Sequence, residues 1–278
     1  MTSASPPVAL VTGASSGMGA DIASRLLSER YVVYAAARRT ERLATLAGKG
    51  AKAMALDVTD EAQCVAAVER IIAEQGRIDV LINAAGYGQY GAIEDVPLDL
   101  ARRQIETNLL GPARLIQLVL PHMRGRHSGK IVNISSSGGK FAFPLGGWYH
   151  ASKFALEGYS DSLRNEVRQF GIDVVVIEPG GIRSEWSGIA AEENRRLSGE
   201  GAYADLAAAE MRLRKQEARA PGPEVITDLV VRALRARRPR PRYHAGLAAG
   251  PLLFLRRQLS DRMFDRLIMM AYRGRGEP

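Results

Sequence analysis

The chain has 278 residues, 46% of them apolar and 24% charged, an ordinary globular balance with ample length to bury a sheet between helices. Its net charge of +8 is lopsided: beyond Val231 twelve arginines face three acids, a net +9, which leaves −1 for the rest and excludes a generally basic nucleic-acid binder. The start, "MTSASPPVALVTG", shows no signal peptide, no apolar run nears the roughly 20 residues that span a bilayer, and the lone Cys64 excludes a disulfide framework and fits a reducing, cytoplasmic setting.

"VALVT" (Val8 to Thr12) is a short apolar run ending in a glycine-rich turn, which predicts a buried strand. "GADIASRLLSER" follows, with Ile22, Leu26 and Leu27 at helical spacing. "YVVYAAA" predicts a second strand and "KAMAL", before Asp57, a third. "AQCVAAVERIIAEQG" predicts a helix with Gly76 as its C-cap. "DVLINAAG" and "GKIVNISSS" predict the fourth and fifth strands, separated by one long helix from about Leu98 to Met123. A helix around Tyr149 and a sixth strand, "IDVVVIEPGG", come next. Apolar runs alternating with helical patterns imply parallel strands and helical crossovers: a doubly wound, Rossmann-type α/β fold with helices on both faces.

Beyond Gly181 the pattern changes. Residues from about 185 to 220 are polar, Ala-rich and helix-prone, a helical insertion over the sheet edge. "EVITDLVVRALRAR" predicts a helix and "RPRPRYHAG" an extended segment. A basic C-terminal extension runs from about 240 to 278, with Leu252, Leu255, Leu259, Met263, Leu267 and Ala271 as one helical stripe. With no convincing linker, residues 1–278 are expected to form one domain. The four histidines (His122, His127, His150, His244) lack metal-ligand spacing, and no metal is expected.

Two features point to chemistry. In "TGASSGMG" the glycines Gly13, Gly17 and Gly19 sit at a strand-to-helix turn, where the backbone can approach a ligand and a helix N-terminus can hold pyrophosphate. In "WYHASKFALEG", Tyr149 and Lys153 are four residues apart, so a phenol and an ammonium share one helix face. A free phenol has a pKa of about 10, and lowering it by about 3 units needs roughly 4 kcal/mol in favour of the phenolate. A positive charge about 4 Å away at an effective dielectric of about 20 supplies that much.

At these residues the chain resembles the short-chain dehydrogenase/reductase family, whose glycine motif is T-G-x-x-x-G-x-G. The resemblance covers Val8 to about Ser184. It implies catalytic roles for Asn108, Ser136, Tyr149 and Lys153: Tyr149 as proton donor, Ser136 orienting the carbonyl oxygen, and Asn108 holding a water that links Lys153 to solvent. It implies cofactor contacts from Gly13, Ser15, Ser16, Gly17, Met18 and Gly19, from Asp57 and Val58 beside the adenine, and from Asn83, Ala84 and Gly86. Tyr149, Lys153, Pro179, Gly180, Ile182 and Ser184 complete that set around the nicotinamide. The family's acidic position at the end of the second strand is Ala37 here, followed by Arg38 and Arg39. With no carboxylate to repel a 2′-phosphate and two guanidiniums to bind it, NADP(H) is the expected cofactor.

Phe141, Phe143, Leu145, Trp148 and Trp186 would give the substrate pocket apolar walls, or simply fill core. The stretches around Tyr149 and Glu178 resemble the branch that includes 17β-hydroxysteroid and retinol dehydrogenases, which implies a small-molecule carbonyl or alcohol with a lipophilic body. A reductase of 3-oxoacyl groups on acyl carrier protein is the alternative enzyme reading, and a non-catalytic NADP-sensing protein the alternative outside enzymes. Family members commonly pair through helices around Leu109 and Phe154, which implies a homodimer or homotetramer. The basic C-terminal segment can lie over the substrate mouth or touch an anionic membrane peripherally.

Overall fold

The computed structural model describes residues 5–215 and 219–273; residues 216–218 of the expected insertion and 274–278 of the expected extension lie outside the described residues. The apolar runs form strands β1 (Val8–Thr12), β2 (Val32–Ala37), β3 (Lys52–Ala55), β4 (Val80–Asn83), β5 (Gly129–Ile134) and β6 (Ile172–Pro179). A seventh strand, β7 (Arg242–Ala245), comes from the segment expected only to be extended. These seven strands pair in parallel, in the order β3-β2-β1-β4-β5-β6-β7. Pro239 and Pro241 lack the N–H a central strand needs, but β7 is an edge strand, and the Pro241 carbonyl accepts from Val176 N at 2.9 Å.

The early helices are α1 (Gly17–Ser28), α2 (Ala44–Gly48), α3 (Glu61–Gln75), α4 (Leu98–Ile105), α5 (Gly111–Gly125) and α6 (Gly147–Val167). The later ones are α7 (Glu185–Ser198), α8 (Ala204–Lys215), α9 (Glu224–Arg235), α10 (Ala249–Gln258) and α11 (Asp261–Arg273). Successive strand residues point to opposite faces. Ala9 and Val11 therefore join Ile22 and Leu26 of α1 and Ile226 and Val230 of α9 in one core. Val8 and Leu10 join Val68 and Ile71 of α3, Leu115 and Val119 of α5 and Leu163 of α6 in the other. The strand order reverses between β1 and β4, which opens a crevice at the carboxyl ends of those strands.

Two expectations need correction. The long helix from Leu98 is broken by a π-helical turn, Glu106–Leu110, between α4 and α5. Pro112 has no N–H to continue the ladder there, so the helix widens by one residue. The single C-terminal stripe is also broken: α10 ends at Gln258 and α11 begins at Asp261. Ser260 O accepts from Met263 N and Phe264 N, restarting the helix in a new phase. Phe264, Ile268 and Tyr272 are buried in α11, while Met263 from the expected stripe is 53% exposed. With Phe141 and Leu253 they form a satellite core against α8.

Candidate active site

Gly13 has a φ of +68°, and a Cβ there would lie 2.8 Å from the Ala84 backbone. A Cβ on Gly19 would lie 2.3 Å from Gly13 O, so α1 can start this close to β1 only with hydrogen at that position. The N-cap Ser16 makes no side-chain cap bond and no acid stands in the first turn, which leaves the helix end suited to an anion. Below it lies a cavity of about 300 Å³, bounded by Gly13, Ser15, Ser16, Gly17, Met18, Gly19, Arg38, Arg39, Asp57, Val58, Ala84, Gly86 and Ser184. Arg39 Nη2 donates to Ser15 Oγ and Ser16 Oγ at 3.4 Å. Arg38 stands 4.0 Å from Asp57 and Arg39 3.8 Å from Glu185, which Arg42 also binds at 2.8 Å. A glycine cradle under an open helix end, with Ala37 at the end of β2 and basic side chains at the far rim, fits a nicotinamide dinucleotide.

A second cavity, of about 480 Å³, shares Met18, Ala84, Gly86, Tyr87, Ser184 and Trp186 with the first as wall. Ser136, Tyr149, Lys153, Pro179, Gly180 and Ile182 all line it. Helix α6 puts the Tyr149 and Lys153 side chains on one face, directed at the end of β5. Lys153 Nζ donates to Ile134 O at 2.8 Å. Burial pulls the Lys153 pKa down to about 8, with Glu157 one turn further on pushing it back up. The ammonium therefore stays mostly charged at neutral pH. Ser136 Oγ accepts from Gly138 N at 3.0 Å and donates to Pro179 O at 3.4 Å, which fixes the hydroxyl at the cavity edge.

Asn83 and Asn108 are placed differently from the rest, since neither lines either of these two cavities. Asn83 is buried beneath the crevice, and its Nδ2 donates to Asn133 Oδ1 at 2.9 Å across β4 and β5. A strand-end residue facing inward thus directs its side-chain Nδ2 to the neighbouring strand. Asn108 sits in the π-helical turn. Its amide accepts from Tyr87 N at 3.1 Å and donates to Tyr87 O at 3.0 Å and Ser152 Oγ at 3.1 Å. It clamps the loop after β4 against α6.

Of the expected apolar walls, Phe143 and Trp186 line the larger cavity, whereas Phe141 and Leu145 fill satellite cores. The sequence alone did not single out His150, Glu210, Arg214 or Tyr272, all on the same wall. His150 Nδ1 and Gly138 O are 2.8 Å apart and its Nε2 accepts from Phe143 N at 3.0 Å, so the ring staples the loop after β5 to α6. Burial holds its pKa down to about 4, so it is neutral there. Glu210 and Arg214 have the four-residue spacing of a helical ion pair, a signal that was present in the sequence. Leu252 and Leu255 of α10 and Leu267, Ile268 and Ala271 of α11 close the cavity with apolar surface.

A family model described as short chain dehydrogenase matches residues 7–195. The chain is 35% identical to 17-beta-hydroxysteroid dehydrogenase type 1 of Mus musculus over 272 residues, 90% of this chain and 77% of that protein. It is 41% identical to 3-ketodihydrosphingosine reductase of Bacteroides thetaiotaomicron over 194 residues, 69% of this chain and 68% of that protein. A solved short-chain dehydrogenase structure from Streptomyces avermitilis matches with a TM-score of 0.81 at 34% identity, covering 99% of this chain and 100% of that one. The matched span holds the glycine turn, the crevice and the Tyr149–Lys153 helix together, and the chain belongs to the short-chain dehydrogenase/reductase family of oxidoreductases.

Proposed function

We propose that this protein is an NADP(H)-dependent oxidoreductase that interconverts a ketone or aldehyde with its alcohol on a bulky lipophilic substrate. The observation that carries the reading is the meeting of Ser136, Tyr149 and buried Lys153 on an apolar cavity that shares walls with the glycine-turn cavity. When bound, the nicotinamide supplies or accepts hydride. The Gly13–Gly19 turn would hold its pyrophosphate, Arg38 and Arg39 its 2′-phosphate, and Asp57 and Val58 its adenine. Ala84, Gly86 and the stretch from Pro179 to Ser184 would face its other end.

Tyr149 gives its phenolic proton to the carbonyl oxygen in reduction and takes it back in oxidation. The charged Lys153 lowers the energy of the phenolate left behind. Ser136 donates to the same oxygen and fixes its direction. Asn108, held by Tyr87 and Ser152, would hold the water that links Lys153 to solvent. The cavity of about 480 Å³ is of the size that takes a lipid-like body. A hydroxysteroid and a ketodihydrosphingosine, named for two relatives, are such bodies. The test follows NADPH consumption over a panel of steroid, sphingoid, retinoid, quinone and acyl-thioester carbonyls. Tyr149→Phe should cut turnover at least about 100-fold with NADPH binding unchanged. Retention of more than about a tenth of the activity would remove Tyr149 from this role.

A second reading concerns location and is favoured by α11. Its inner face lines the cavity, and its outer side carries Arg262, Met263, Arg266, Met270 and Arg273, all exposed, with Met263 at 53% and Met270 at 67%. We infer that this face rests on anionic lipid, with each arginine near the surface contributing about 1 kcal/mol. Lid and membrane contact then use opposite sides of one helix. Among the described residues no helix is long and apolar enough to cross a membrane. Co-sedimentation with vesicles should require anionic lipid, weaken with salt and disappear in Arg262→Ser/Arg266→Ser. Equal binding to neutral vesicles would count against it.

A further inference from the structure

One part of the apolar cavity wall is charged. Glu210 and Arg214, one turn apart on α8, form an ion pair whose side chains are only 5% and 9% exposed, and both line the cavity. Removing two charges from water costs more than their attraction reliably returns, so such a pair is weak evidence for a purely stabilising role. It is firmly built. Fully buried Asn194 of α7 donates from Nδ2 to Glu210 Oε2 at 3.2 Å. The Arg214 guanidinium carbon lies 4.1 Å from the Tyr90 ring centre and 5.1 Å from that of Trp186. Those two rings lie 5.8 Å and 5.1 Å from the ring of Tyr149. The legs through Tyr90 bound the separation of the Tyr149 ring from the guanidinium at about 10 Å.

We propose that Glu210 and Arg214 form a specificity site for a second polar group on the substrate, a hydroxyl carried on the apolar body away from the reacting carbonyl. The inference rests on the carbonyl–alcohol reading above. The choice of a hydroxyl follows from charge and hydrogen-bonding inventory. The pair is neutral overall, so it offers an anion no net attraction, and an anion would also lose its hydration in the apolar cavity. A ketone or ether oxygen only accepts, and would meet the guanidinium but not the carboxylate. A hydroxyl both accepts and donates, and so addresses both partners at once. The ordinary alternative is that the pair only joins α8 to α7 through Asn194.

A matched trio of substrates separates the two. Each compound is the same bulky ketone, carrying at the distal position a hydroxyl, a hydrogen or a methoxy group. kcat/KM is measured for each with whichever of NADPH and NADH gives the faster turnover. The wild type should favour the hydroxyketone over both analogues by at least about tenfold, one hydrogen bond to a charged partner in a dry site. In Glu210→Gln/Arg214→Met that ratio should collapse to about one, whatever the absolute rates. A wild-type ratio below about threefold overturns the proposal, and so does a double variant that keeps the wild-type ratio while both rates fall. The wild-type trio decides alone if the variant does not fold. Turnover without discrimination defeats this proposal only, whereas no turnover of any carbonyl with either nucleotide defeats the parent reading and takes the proposal with it.

Discussion

On the proposed NADP(H) reading, replacing Arg38 and Arg39 together with serine should weaken NADPH use while sparing NADH. The Arg38 and Arg39 side chains are 61% and 44% exposed, so solvent screens them, and each guanidinium–phosphate bond belongs at the low end of the charge-assisted range, about 1.5 kcal/mol. Both together contribute about 3 kcal/mol, which is about 100-fold in affinity. NADH has no 2′-phosphate, so its affinity should change by less than about threefold. Arg39 also reaches Ser15, Ser16 and Glu185, and a small common loss for both nucleotides would come from that anchoring. The assay is kcat/KM for each nucleotide with one substrate, backed by titration of the free enzyme through tryptophan fluorescence. The NADPH preference should also shrink as salt is raised, because the contacts are at the surface. A wild-type NADPH-to-NADH ratio below one refutes the reasoning, as does an equal loss for both nucleotides in the double variant.

Gly19→Ala should abolish nucleotide binding, because the added methyl meets Gly13 O at 2.3 Å and Thr12 O at 3.1 Å, both backbone atoms; an alanine variant that binds NADPH within about tenfold of wild type would show that the turn can yield. Lys153→Met should stabilise the cofactor-free protein at pH 7. The ammonium titrates at about 8 in the fold against an ordinary 10.5, so the unfolded chain binds the extra proton between those values and wild-type stability rises with pH across that window. The methionine variant should lack that rise of about 3 kcal/mol, read from denaturant melts at pH 7 and at high pH, and parallel melts at both would argue against a buried ammonium.

What the sequence made legible is what is local. The glycine turn follows β1 directly, and Tyr149 and Lys153 are one helical turn apart, so both arrangements follow from spacing within a few residues. The alternation of strand and helix follows for the same reason. The features that escaped depend on distant partners. β7 is a strand because β6 lies beside it, and "RPRPRYHAG" alone signals only extension. The π-helical turn that presents Asn108 needs Pro112 read against a hydrogen-bond ladder, not against a hydrophobic pattern. The restart at Ser260 centres the buried face of α11 on Phe264, Ile268 and Tyr272, so the expected stripe kept Leu252, Leu255, Leu259 and Leu267 packed but lost Met263 to the surface. The charged wall required α8 and α11 to be folded over β5 and α6, so the four-residue spacing of Glu210 and Arg214 carried no address.

The shared wall between the two cavities sets limits for anyone reshaping the enzyme. Trp186 borders both spaces, and a Cβ on Gly88 would press 2.5 Å from its ring, so the indole has little freedom to move aside. A library that varies Trp186, Met18 or Tyr87 to admit new substrates will alter the nucleotide site in the same stroke, and gains and losses there will not add. Leu252, Leu255, Leu267 and Ala271 border the larger space alone. Those four positions on α10 and α11 are where substrate scope can be recut while the nucleotide grip is left as it stands.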